Sequence, residues 1–130
     1  MTDLNKLKFT KTHEWIRFDG PKAVVGITQH AQEEISDVVF IELPKAGKKV
    51  EQAGEAAVVE SVKAAFSIYA PVSGTVAQVN DKLSKDPGVV NRSPYEEGWI
   101  FTLEPANAQQ ADSLMTHEQY EGFVKGGVKH

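Results

Sequence analysis

The strongest constraint on this chain is the rhythm of its first two thirds, where short β-prone segments alternate with glycine and proline. Ile16 to Phe18, Ala23 to Ile27, Val38 to Leu43 and Thr75 to Val79 are strand-sized and rich in branched or aromatic side chains. That density points to a barrel or a sandwich. One helix is predicted to interrupt the sheet around His30, because Ile27, Ala31 and Ile35 recur at helical spacing and Thr28 is suited to cap its start. Past Pro105 the pattern changes. Asn107 and Thr116 are each followed three residues later by Gln, and Ala111, Leu114 and Met115, then Tyr120, Phe123 and Val124, repeat as helix faces. Two capped helices are expected there, with the tail from Gly126 to His130 frayed beyond the glycine pair.

The length of 130 residues fits one domain with a core from about residue 7 to 124. A net charge of -4 argues against a phosphate-binding surface, so nucleic acid is not an expected partner. The longest apolar runs, such as Val38 to Ile41, are far short of the roughly 20 residues of a membrane span. Residues 1 to 6 lack the hydrophobic core of a signal peptide, and the expectation is a cytoplasmic protein. There is no cysteine. Any sulfur or redox chemistry must therefore come from a modification. The histidines, at 13, 30, 117 and 130, give no close ligand pair in sequence, and no metal site is expected.

One lysine stands out. Glu60-Ser61-Val62-Lys63-Ala64-Ala65 sets Lys63 in a small, apolar context midway between Gly54 and Gly74. Acylation of a lysine removes its charge and leaves a long tether for the attached acid. Local rules leave its conformation open. Val58, Val62, Ala65 and Tyr69 follow helical spacing, while the Val, Ile and Tyr content favours strands. A hairpin would turn at Val62-Lys63, without the Asn-Gly or Asp-Gly that usually marks a two-residue turn.

Residues 60 to 64, together with Ala70-Pro71-Val72-Ser73-Gly74, resemble the lipoyl-attachment region of the glycine cleavage system H-protein family. His13-Glu14-Trp15, Gly26 to Gln32, Val39 to Pro44 and Val90 to Trp99 also resemble blocks of that family, in its order. The resemblance implies a mainly β fold, a barrel-sandwich hybrid with a short internal helix and C-terminal helices, and it places the lysine at a hairpin tip. It further implies a carrier rather than an enzyme, with lipoic acid covalently attached at Lys63. The implied partners are the P protein (pyridoxal-phosphate glycine decarboxylase), the T protein (a tetrahydrofolate-dependent aminomethyltransferase), the L protein (dihydrolipoamide dehydrogenase) and a lipoylating enzyme. The carrier takes an aminomethyl group from the first to the second and passes electrons to the third.

The same resemblance makes Glu60, Ser61, Val62 and Ala64 the recognition context of the lysine. It makes Thr12 and Glu14 part of a cleft that holds the loaded arm, where a carboxylate suits a cationic amine. His30 either orders the short helix or lines that cleft. The alternative for Glu14 is a surface ion pair with a nearby lysine. The family commonly carries Ser-Asp after the modified lysine, where this chain has Phe66-Ser67. Ser67 can hydrogen-bond in the cleft but supplies no charge, and Phe66 packs there or joins the core. Trp15, Tyr95 and Trp99 read as packing aromatics. The competing readings are an H-like lipoyl relay or regulatory protein, a biotinyl carrier domain, and a lipoyl domain of a 2-oxoacid dehydrogenase. Biotinyl sites resemble Met-Lys-Met, and Val62-Lys63-Ala64 departs from that.

Overall fold

The computed structural model describes residues 3–127, so the predicted tail at 128–130 lies outside the described residues. Two antiparallel sheets form the body. The larger has the order β1 (Lys8–Phe9), β2 (Glu14–Asp19), β3 (Lys22–Ile27), β9 (Phe101–Pro105), β8 (Gly74–Val79) and β5 (Lys49–Val50). The smaller has the order β4 (Val38–Glu42), β6 (Glu55–Ser61) and β7 (Ala65–Tyr69). All four predicted strands are present. Sequence reading passed over β1, β5 and β9, and of these β9 sits at the centre of the larger sheet, where Phe101, Thr102 and Leu103 are all buried. A strand covered on both faces reads as a short apolar run without alternation, which is the weakest strand signal.

Residues facing inward from both sheets form the main core, among them Ile16, Val25, Ile41, Val59, Ile68 and Leu103. A second cluster of Leu7, Phe9, Trp15, Val24 and Tyr120 covers the outer face of the larger sheet. Trp15 is wholly buried, and its indole N–H donates to Pro94 O at 2.9 Å. Tyr95 and Trp99 pack half-buried against the same cluster.

The predicted internal helix is α1 (Gln29–Ile35). Thr28 caps it as expected, its hydroxyl accepting from Ala31 N at 3.1 Å. Its buried face is Ala31 and Ile35, and it stops at Ser36, where φ is +72°. Two one-turn helices that the sequence did not announce follow β8, α2 (Lys82–Lys85) and α3 (Val89–Arg92). Asn91 on α3 ties α1 to β4, donating to Gln32 Oε1 and Ser36 O and accepting from Val38 N.

The two expected C-terminal helices divide. α4 (His117–Gly127) begins with a full capping box, in which Gln119 N donates to Thr116 Oγ1 and Gln119 Oε1 accepts from Thr116 N. It also runs through the glycine pair predicted to end it. The segment after Asn107 is a 3-10 helix, Ala108–Ser113. Asn107 caps it through Gln109 N, while the Gln110 side chain reaches Ser73 instead of closing a box. A tertiary contact has taken the side chain that the local rule assigned to the cap.

Candidate functional site

Lys63 stands at the tip of the β6–β7 hairpin. Pairing of Glu60 with Ala65 leads into a closed turn, where Ser61 N donates to Ala64 O at 2.9 Å. Val62, Lys63 and Ala64 are exposed, whereas Ser61 is buried. The open conformational question is thus settled toward strands. Val62 and Lys63 are absent from the residues with positive φ, so this is not the mirror-image turn that requires Asn-Gly. The Ser61 hydroxyl does the pinning, accepting from Lys63 N at 3.2 Å and Ala64 N at 3.3 Å. Serine makes this kind of side-chain turn through its own oxygen. Glu60 is half-buried beside the tip. Val62 (71 % exposed), Val39 and Phe40 leave apolar surface next to it, since Asp37 O receives Val62 N and Phe40 pairs with Glu60.

At its other end β7 meets Glu14. This carboxylate is fully buried and held by hydroxyl and backbone donors, contrary to the surface ion-pair alternative. Its Oε1 accepts from the hydroxyls of Thr10 and Thr12, both at 2.5 Å, and its Oε2 accepts from Tyr69 N at 3.0 Å. Burial raises the Glu14 pKa, and the hydrogen bonds from Thr10, Thr12 and Tyr69 oppose the rise. Thr10 and Tyr69 were not anticipated. A signal for Thr10 was available, because Thr10, Thr12 and Glu14 alternate along the chain.

The structure brings Thr12 and Glu14 together, the two residues expected in the cleft. Thr12 is exposed and covers the carboxylate, so an incoming group meets the hydroxyl first. Two cavities adjoin. One of about 330 Å³ includes Thr10, Thr12, Glu14, Tyr69 and Met115, and a smaller one of about 80 Å³ includes Thr12, His13, Phe66 and Ser67. Thr12 lines both. Phe66 packs half-buried against the main core while lining the smaller cavity. Ser67 lines it too, but its hydroxyl donates to Glu55 Oε2 at 2.5 Å, so a carboxylate does stand beside this position. His30 lines neither cavity. Its ring lies 4.6 Å from that of His13, so the fold makes the close histidine pair that the linear spacing hid.

No helix among the described residues is long and apolar enough to cross a membrane. The family model for the glycine cleavage H-protein matches residues 7–127. A glycine cleavage system H protein of Endomicrobium trichonymphae is 51% identical over 118 residues, covering 91% of this chain and 95% of the relative. A mitochondrial H protein of Oryza sativa subsp. indica is 49% identical over 119 residues, covering 92% of this chain and 73% of the relative. Among solved structures, the H protein of Mycobacterium marinum superposes with a TM-score of 0.85 at 31% identity, covering 93% of this chain and 98% of that one.

Proposed function

The chain belongs to the glycine cleavage H-protein family, and from that membership we propose that Lys63 is its lipoylation site and the root of a swinging arm. The observation that carries this reading is the exposed lysine on a turn held by Ser61 at the end of two paired strands. An amide on Nζ fits there, because the side chain is in solvent and nothing must be unpacked to modify it. When bound, a lipoyl group supplies a disulfide that accepts the aminomethyl unit of glycine and later returns electrons as a dithiol.

The chain's own residues do the rest. The rigid strands fix where the arm starts, and a tethered group is present at high effective concentration near each partner's pocket. Lys63 and Tyr69 lie six residues apart, on the order of 20 Å along an extended strand. Phe66, Ser67 and Thr12 line the cavity beside β7 and would flank an arm folded back along that strand. Displacing the Thr12 hydroxyl gives a cationic amine access to the Glu14 carboxylate, whose low-dielectric surroundings favour the pair. That contact holds the amine as ammonium and keeps water from it.

The partners are the other components of the glycine cleavage system: the P protein, which loads the arm; the T protein, which passes the one-carbon unit to tetrahydrofolate; and the L protein, which reoxidises the dithiol. Val62, Val39 and Phe40 supply apolar docking surface beside the tip. Glu60 and Ser61 serve the lipoylating enzyme, one as a charge and one as the turn's lock. We place the protein in the cytoplasm and assign it no catalytic step of its own.

The test is intact mass and peptide mapping after treatment with a lipoate ligase and lipoate, followed by glycine-dependent loading by a glycine decarboxylase. A lipoyl increment on Lys63 with subsequent loading is expected. A chain that stays unmodified under conditions that modify another lipoyl domain overturns the reading.

A further inference from the structure

Away from the lysine, the loop before β2 and the helix α1 bring three metal-binding side chains together. We propose that His13, His30 and Glu34 form a binding site for a divalent transition-metal cation of the zinc type. One ring nitrogen from each histidine and one oxygen from Glu34 lie within 4.8 Å of one another. Donors around a tetrahedral zinc stand about 3.4 Å apart, given bonds of about 2.1 Å. Glu34, with its side chain 62% exposed, has room to adjust around an ion.

The three residues arrive by different routes. His30 and Glu34 are one turn apart on the same face of α1, with His30 Nε2 3.5 Å from Glu34 Oε1. His13 comes from the Thr10–Glu14 loop and holds φ at +73°, a left-handed conformation that residues with a Cβ seldom adopt. The two imidazole rings are tilted by 47°, so they are not face to face.

The surroundings prepare His13 as a ligand. Its Nδ1 is 2.7 Å from the Tyr120 hydroxyl, which in turn lies 2.8 Å from Thr28 Oγ1. Nδ1 is thereby occupied, the ring is oriented, and Nε2 is left to bind, as outer hydrogen bonds do for metal-ligating histidines. Two imidazoles, one carboxylate and an open side form a donor set that suits zinc with an exogenous fourth ligand. The His117–Glu121 pair on α4, 3.2 Å apart, has the same helical spacing but does not belong to such a triad among the described residues. It serves as the internal control.

Zinc titration calorimetry on the full-length, tag-free, unlipoylated chain, stripped beforehand with a chelator, tests this independently of the carrier reading. The expected result is one zinc per chain and a Tm raised by roughly 5–10 °C at a hundredfold excess over Kd. Cobalt in place of zinc should give the d–d absorption of a low-coordinate site with histidine ligands. His30→Ala, at a half-exposed position, should weaken binding on the order of 100-fold and Glu34→Gln by about 10-fold, while Tyr120→Phe should cost about 10-fold through the lost orienting contact. His117→Gln should change nothing. Absence of stoichiometric binding, or affinity untouched by both His30→Ala and Glu34→Gln, would overturn the proposal and leave the triad as a packing contact between α1 and the loop.

Discussion

At one end of β7 the chain turns through Val62 and Lys63 with both side chains in solvent, and at the other Tyr69 gives its N–H to a carboxylate with no exposure at all. The two ends belong to one short strand, yet they obey opposite rules. The tip is held by a single hydroxyl and its side chains touch little, so its identity is free to serve chemistry. The Glu14 end is a saturated network in which every donor has its acceptor, so its identity is bound to the fold. A carrier needs both: an attachment point that moves without unpacking anything, and a receiving site already formed.

The sharpest way to break that comparison is Lys63→Arg. Lipoyl incorporation and glycine-dependent loading should be lost completely, while Tm shifts by no more than about 2 °C, because an exposed residue contributes within about 0.5 kcal/mol. Mass spectrometry and calorimetry on the same sample check both halves. A large fall in Tm would show that the tip is not independent of the fold.

Glu14→Ala should reverse the pattern. Thr10, Thr12 and Tyr69 would lose their shared acceptor, and about 2–4 kcal/mol of stability should go with it. Urea unfolding should show a lower midpoint at unchanged slope, with lipoylation of Lys63 in the folded fraction intact. Ser61→Ala lies between the two extremes. Loss of the hydroxyl that holds Lys63 N and Ala64 N should cost about 1 kcal/mol, and the loosened turn should slow lipoylation several-fold. An unchanged lipoylation rate would mean that the ligase reads the residues and not the turn.

What was legible in the sequence follows the same divide. The Lys63 turn could not be read from turn propensities, since neither Val62 nor Lys63 favours one and the information sits in Ser61, a residue outside the loop. The family blocks supplied what local rules lacked. At the other end, Thr12 and Glu14 stand together as the sequence singled them out, but the burial of Glu14 was not legible, because it depends on Tyr69, 55 residues away in the chain. The capping box at Thr116 is purely local and was read in full, whereas Gln110 was misread because Ser73 competes for it. His13 and His30 illustrate the limit, since their ring contact is made only by the return of the chain from β3 into α1.

The smallest effect is the most diagnostic. Burial raises the Glu14 pKa above its ordinary value of 4.5 in spite of the opposing hydrogen bonds. Between 4.5 and the raised value the folded chain therefore holds a proton that the unfolded chain has released. Stability from this group is fully present below 4.5 and is lost as pH rises through the folded pKa. Glu14→Gln retains an oxygen for Thr10 and Thr12 but does not titrate, and its misplaced amide against Tyr69 N adds an offset independent of pH. The stability of the wild type minus that of Glu14→Gln should thus fall with rising pH across this window and then level off. His13, the next residue back, works with the opposite sign. Its depressed pKa makes its contribution fully present above 6.5 and lost as pH falls through the folded value. A Glu14 difference curve that rises with pH would mean that the hydrogen bonds from Thr10, Thr12 and Tyr69 outweigh burial in setting the charge of this carboxylate.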